Sequence, residues 1–232
     1  MPRTTRAVMD GGTYHVLTWG NNHQIIFHHE GDFRRYLQLL SLYLPEHQVN
    51  LYHFVLMPNH VHLILEVARA EALSKLMSGV NLSYSLFYRK RYRYSGHLWR
   101  GRFKSRVIDR EIDLLECGRF VELNPIRAGL VHSLSDYAWS SYPVYAEGAA
   151  NPLLSRHPLY EALGASPAER QERYRQFIHD GLPTQQPPVS SSRYGLIGQT
   201  FDPFKSLRDR FGFPSRRRSR GRPNALEVAH DA

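Results

Sequence analysis

Two imidazoles one residue apart, His60 and His62, lie in the run Leu56-Met57-Pro58-Asn59-His60-Val61-His62-Leu63-Ile64-Leu65-Glu66. Successive side chains of a strand point to opposite faces, so His60, His62, Ile64 and Glu66 share one face while Val61, Leu63, Leu65 and Val67 share the other. Side by side, two neutral imidazoles can hold a divalent cation against a substrate. A half-buried strand with a histidine-rich outer face has the same pattern, so the pair alone does not establish a metal site. A second constellation follows at Gly96-His97-Leu98-Trp99-Arg100-Gly101-Arg102-Phe103-Lys104-Ser105-Arg106. In an extended chain Arg100, Arg102, Lys104 and Arg106 line one edge. Such an edge suits a phosphate backbone, with Trp99 as a stacking platform for a base.

Composition points the same way. The 232 residues carry 30 Lys+Arg against 21 Asp+Glu, a net charge of +9, and the bases are interleaved with 14 Tyr and 11 Phe. A polyanionic partner that offers stacking surfaces fits this balance, as does a merely basic soluble protein. The single Cys117 excludes an intramolecular disulfide and a cysteine-based zinc site. No apolar run approaches the length of a membrane span, and no signal-peptide core opens the chain, so the expected setting is the cytoplasm with no membrane partner.

The elements that must carry these residues follow from periodicity. Tyr14 to Trp19 is rich in β-formers and closes on the turn Gly20-Asn21-Asn22. Asp32 is the expected N-cap of a helix with Phe33, Tyr36, Leu37, Leu40 and Tyr43 on one side, ended by Pro45. Val49 to Leu56 forms a second strand, and Pro58-Asn59 turns it back into the histidine strand as an antiparallel neighbour. Leu73, Leu76, Met77, Val80, Tyr84 and Phe87 mark a helix from Glu71 to about Tyr92. The basic segment enters a fourth strand ending near Ile108. A last core helix runs from Asp109 or Glu111 to Leu123, stopped by Asn124-Pro125. The order β, α, β-turn-β, α, β, α predicts an α+β, ferredoxin-like (RRM-like) antiparallel sheet with helices on one face. The expected divisions are a core over 13–145, a helical extension over 146–180, a Pro/Gln/Ser-rich linker over 181–194 and an accessory segment with a basic tail over 195–232. In that tail Arg220-Gly221-Arg222-Pro223 resembles an AT-hook core that slides arginines into a narrow minor groove, and a generic basic arm also accounts for it.

At this point the chain resembles the REP-associated tyrosine transposases, single-tyrosine members of the HUH nucleases. The likeness spans about residues 13 to 145. It rests on ordered matches: Gly20-Asn21-Asn22, Leu56 to Leu63, Gly96 to Lys104, Glu122-Leu123-Asn124-Pro125-Ile126-Arg127-Ala128, and Trp139-Ser140-Ser141-Tyr142. The resemblance implies a single-stranded DNA endonuclease and strand transferase acting on REP-type hairpins through a 5′-phosphotyrosine. It implies Mg²⁺ or Mn²⁺ held by His60, His62 and Asn124, and recognition of a short single-stranded guide near Asn21 and Asn22. A nucleoid-associated monomer or homodimer is implied as well. The nucleophile position falls on Phe120, where the family carries tyrosine, and phenylalanine keeps the ring but has no hydroxyl. Two accounts stand: a deliberate Tyr→Phe change that traps uncleaved DNA, or a natural loss of cleavage that leaves a sequence-specific DNA-binding protein on the same fold.

Overall fold

Two apolar periodicities build the scaffold. Along β1 (Thr13–Trp19), β2 (Val49–Met57) and β3 (His60–Val67) the residues alternate between the two faces of a sheet, whereas α1 (Glu30–Glu46) and α2 (Ala70–Tyr92) turn inward at every third or fourth position. The computed structural model describes residues 8–109 and 111–182, with backbone alone at 111 and 112. It joins these strands to β4 (Lys104–Val107) in an antiparallel sheet of order β2-β3-β1-β4. The βαββαβ order is the ferredoxin-like plan expected from the sequence.

On the first face, Val16, Phe54, Leu56, Val61, Leu63 and Leu65 meet Phe33, Tyr36 and Leu40 of α1 and Leu73, Leu76, Val80 and Tyr84 of α2, all buried. Burial of each such side chain stabilises the fold by about 1.5–3 kcal/mol. Helix α1 begins three residues earlier than expected, with His29 rather than Asp32 at its N-cap, and runs one residue past Pro45. Asp32 is therefore not the N-cap. It sits in the first turn, where Oδ2 accepts from the backbone N–H groups of His28 and His29 at 2.8 and 3.0 Å, satisfying donors the helix leaves open.

The expectation of helices on one face describes α1 and α2. Helix α3 (Glu111–Glu122) lies on the other face, against β2 and β3. Close approach is possible because residue 118 is glycine: a Cβ there would come within 2.7 Å of the His53 Nε2. Beyond α3 the chain forms α4 (Asn124–Arg127), α5 (Tyr142–Glu147), α6 (Pro158–Glu161) and α7 (Pro167–His179). Tyr145, Tyr160, Tyr174 and Ile178 of these segments bury a second cluster against Leu123 and Ile126. Among the described residues no helix is long and apolar enough to cross a membrane. The linker beyond Leu182, the accessory segment and the tail arginines Arg220 and Arg222 lie outside the described residues.

Candidate active site

The histidines project from β3 toward α3, and antiparallel pairing brings in a third imidazole that sequence spacing does not reveal. Register sets Leu17 opposite His62 and His15 opposite Ile64, so His15 stands diagonally beside His62 on the same face. The two rings lie edge to edge, with centroids 5.1 Å apart and planes 6° apart, and His15 Nε2 lies 2.8 Å from His62 Nδ1. His60 packs against His62 at 5.0 Å, and its Nδ1 lies 2.6 Å from Asn59 Oδ1. In both β3 histidines the remaining nitrogen, Nε2, is buried with no hydrogen-bond partner among the described residues.

Burial keeps these rings neutral. Loss of solvent, reinforced by neighbouring His23, lowers the His60 pKa to about 3. Loss of solvent and the positive field of Arg106 do the same to His15, also to about 3. His62 is pushed well below the ordinary histidine value by desolvation and then by His60 and His15. Neutral imidazoles with shielded, unpartnered lone pairs fit a divalent cation. Among the described residues no group of three or more His, Cys, Asp or Glu side chains forms a metal centre, so the protein offers a pair of imidazoles rather than a closed cage.

Phe120 reaches this cluster from α3. Its ring is 5% exposed and lies edge-on to His62 and His15, with centroids 6.2 and 6.4 Å away. The Arg127 guanidinium stands 5.0 Å from the centre of the Phe120 ring and donates to the Phe120 carbonyl at 3.3 Å. Asn124 is buried one turn on, and its Nδ2 donates to the carbonyls of Phe120 and Val121 at 2.9 and 3.0 Å. The amide thus satisfies two of the last α3 carbonyls, including that of Val121, to which Pro125 has no N–H to offer.

Flanking residues hold α3 in place. Glu122 is fully buried and accepts from His53 Nδ1 at 3.0 Å, from Ser141 Oγ at 2.5 Å and from the Tyr174 hydroxyl at 2.8 Å. Arg119 donates to the Phe177 carbonyl at 3.0 Å and stacks over the Phe177 ring at 4.4 Å. Sheet, α5 and α7 thereby grip the helix on both sides of position 120.

The basic edge is split by the backbone. Lys104 and Arg106 lie on β4, paired with Leu17 and His15, and so belong to the histidine face. Arg100 and Arg102 do not continue that row, because the chain bends through Gly101 at φ 111°. They line a cleft of about 260 Å³ with Trp19, Gly101 and Lys104. Lys104 Nζ lies 4.9 Å from the centre of the Trp19 ring, and Arg100 Nη1 lies 3.2 Å from His23 Nε2. Trp99 is turned the other way: its Nε1 donates to the Asn81 carbonyl at 2.9 Å and its ring packs by Tyr36 and Tyr84. It anchors the loop to α2, and Trp19 is the aromatic at the cleft. In the Gly20 turn, a Cβ at Gly20 would meet the Gln24 carbonyl at 2.3 Å. Exposed Asn22 takes φ 51°, which asparagine tolerates, and the Asn21 backbone N–H donates to the Leu98 carbonyl at 2.7 Å.

His15, Trp19 and Arg127 were missed as site residues. Arg127 stood in a quoted motif and had a signal; His15 and Trp19 needed the register of β1 on β3 and β4.

Comparison with known proteins bears on the same segment. Residues 9–122 match the family model described as Transposase IS200 like. No curated protein sequence matches the chain. A solved REP-associated tyrosine transposase bound to a REP hairpin shares the fold at 16% identity with a TM-score of 0.54, covering 68% of this chain and 92% of that one. A candidate transposase from Deinococcus radiodurans R1 aligns at 13% identity with a TM-score of 0.36, over 52% of this chain and 96% of that one. The segment that matches the IS200-like transposase model carries β1 to β4 and α1 to α3, with the histidine pair and position 120 inside it.

Proposed function

We propose that this domain acts on single-stranded DNA beside a REP-type hairpin, with the architecture of a metal-dependent endonuclease and strand transferase and with Phe120 in the nucleophile position. The observation that carries the reading is the Phe120 ring edge-on to His62 and His15, over the sheet face that also bears two unpartnered Nε2 atoms and the cations Lys104 and Arg106. A DNA phosphate brought to that face meets Lys104 and Arg106, while the cleft at Trp19, Arg100 and Arg102 receives the neighbouring nucleotides. Asn21 and Asn22, on the turn next to this cleft, are placed to meet a guide strand.

A tyrosine at position 120 would attack the phosphorus through its hydroxyl oxygen, forming the O–P bond of a 5′-phosphotyrosine as the 3′ oxygen leaves and takes a proton. The bond energy is thereby kept for rejoining. Arg127 over the ring offsets the charge of the attacking phenolate. His60 and His62 would hold Mg²⁺ or Mn²⁺ through Nε2, which when bound neutralises charge on the phosphate oxygens. Asn124, with Nδ2 committed to α3, has only Oδ1 to offer. Phenylalanine cannot make the covalent bond, so the chain as it stands binds DNA without cleaving it. The test is Phe120→Tyr incubated with a labelled REP-type hairpin and Mn²⁺: a protein–DNA adduct resistant to denaturation is expected, and none from the parent chain. Absence of adduct from the tyrosine variant overturns the nuclease architecture.

A second reading, a DNA-binding protein without metal chemistry, is favoured by the absent hydroxyl at position 120. Calorimetric titration of Mn²⁺ into the chain and into His60→Ala separates the two, because equal heats belong to the second.

A further inference from the structure

His60 shows how a neighbour can decide which ring nitrogen is free. Asn59 Nδ2 donates to the His23 carbonyl at 3.3 Å, which turns Oδ1 toward His60 Nδ1 at 2.6 Å. An amide oxygen only accepts, so the His60 proton sits on Nδ1 and the lone pair on Nε2. His62 lacks such a one-way partner. Its Nδ1 faces His15 Nε2 at 2.8 Å, and either nitrogen of a neutral imidazole can carry the proton. If His15 donates, the His62 proton is forced onto Nε2 and the ring cannot ligate. If His15 accepts, His62 presents a lone pair from Nε2, matching His60.

We propose that His15 is the positioning residue that accepts a hydrogen bond from His62 Nδ1 and so fixes the tautomer in which His62 Nε2 can bind a cation. This rests on the metal reading above and adds to it a residue outside the His-x-His motif. Geometry supports it. The rings lie edge to edge within 6° of parallel, both are fully enclosed, and β1–β3 pairing holds the backbones that carry them, so no water competes for the shared proton.

Nitrogen-15 NMR of the whole metal-free chain reads the tautomers directly: His60 and His62 are both expected as Nδ1–H forms. An Nε2–H form at His62 overturns the proposal. Mn²⁺ titration supplies the second arm. His15→Leu should weaken binding about 10–100-fold, the range typical of lost partners to ligating histidines, and His15→Gln, which keeps an acceptor oxygen, should recover most of it. Binding by His15→Leu within about twofold of the parent overturns the role of His15 and leaves the metal reading intact. A parent chain that binds no Mn²⁺ overturns the metal reading instead, and the tautomer spectrum then decides on His15 alone. If His15→Leu fails to fold, that same spectrum of the parent decides.

Discussion

The two faces of the sheet solve opposite problems with the same strands. Under α1 and α2 the side chains of β1, β2 and β3 are aliphatic and aromatic, and such polar groups as Tyr84 find partners, its hydroxyl donating to the Ile26 carbonyl at 2.6 Å. Under α3 the strands present His15, His53, His60 and His62, and the Nε2 atoms of His60 and His62 are buried with no hydrogen-bond partner among the described residues. An unpaired buried polar group costs about 1–3 kcal/mol; the α1–α2 face carries one at Thr18 Oγ1, whereas the α3 face gathers two on the adjoining rings of His60 and His62. Such a penalty persists where a ligand removes it, and the family match spans that face.

The contrast can be broken most forcefully from the apolar side. Leu63→Ala, at a fully buried position, should cost about 2–5 kcal/mol in denaturant unfolding while Mn²⁺ affinity stays at the parent value; a loss of metal binding without a loss of stability would mean the faces are not separate. Next in size is Glu122→Ala. It leaves His53, Ser141 and Tyr174 without their shared acceptor and should cost about 2–4 kcal/mol, with Glu122→Gln costing less, read by the same unfolding curves.

A smaller effect sharpens the comparison through pH. His15 and His60 have folded pKa values near 3 against an ordinary 6.5, so below 6.5 the unfolded chain binds protons that the folded chain refuses. Stability in chelator is therefore full above about 6.5 and falls as pH drops toward 3. The Tm of His60→Leu should fall less steeply over that window, whereas Leu63→Ala should shift the curve without changing its slope. The smallest expected change is Arg102→Ala, which should lower the salt dependence of DNA binding by about one unit of slope and weaken all sequences alike.

Much of this was legible before the fold was known. Strict alternation around His60 and His62 fixed their shared face, and Pro58-Asn59 announced the hairpin. The stripe Leu73, Leu76, Met77, Val80 and Tyr84 set the buried side of α2. What stayed hidden depends on pairing between distant segments. His15 joins His62 only through strand register, and Trp99 turns inward only because α2 offers the Asn81 carbonyl. The row of cations broke at Gly101, where a positive φ replaces the extended chain on which the alternation argument depends. The motif marked Asn124 without showing that its nitrogen caps the end of α3, a role that leaves Oδ1 for a ligand.

Glu122 is the last residue of the family match, and two of its three hydrogen-bond donors, Ser141 and Tyr174, come from beyond it. Trimming the protein to the matched part would leave that carboxylate, two residues from position 120, without these donors. Swapping the region after residue 122 between homologues should accordingly transplant the alignment of position 120 along with the helices, so that change outside the matched segment reaches the histidine face inside it.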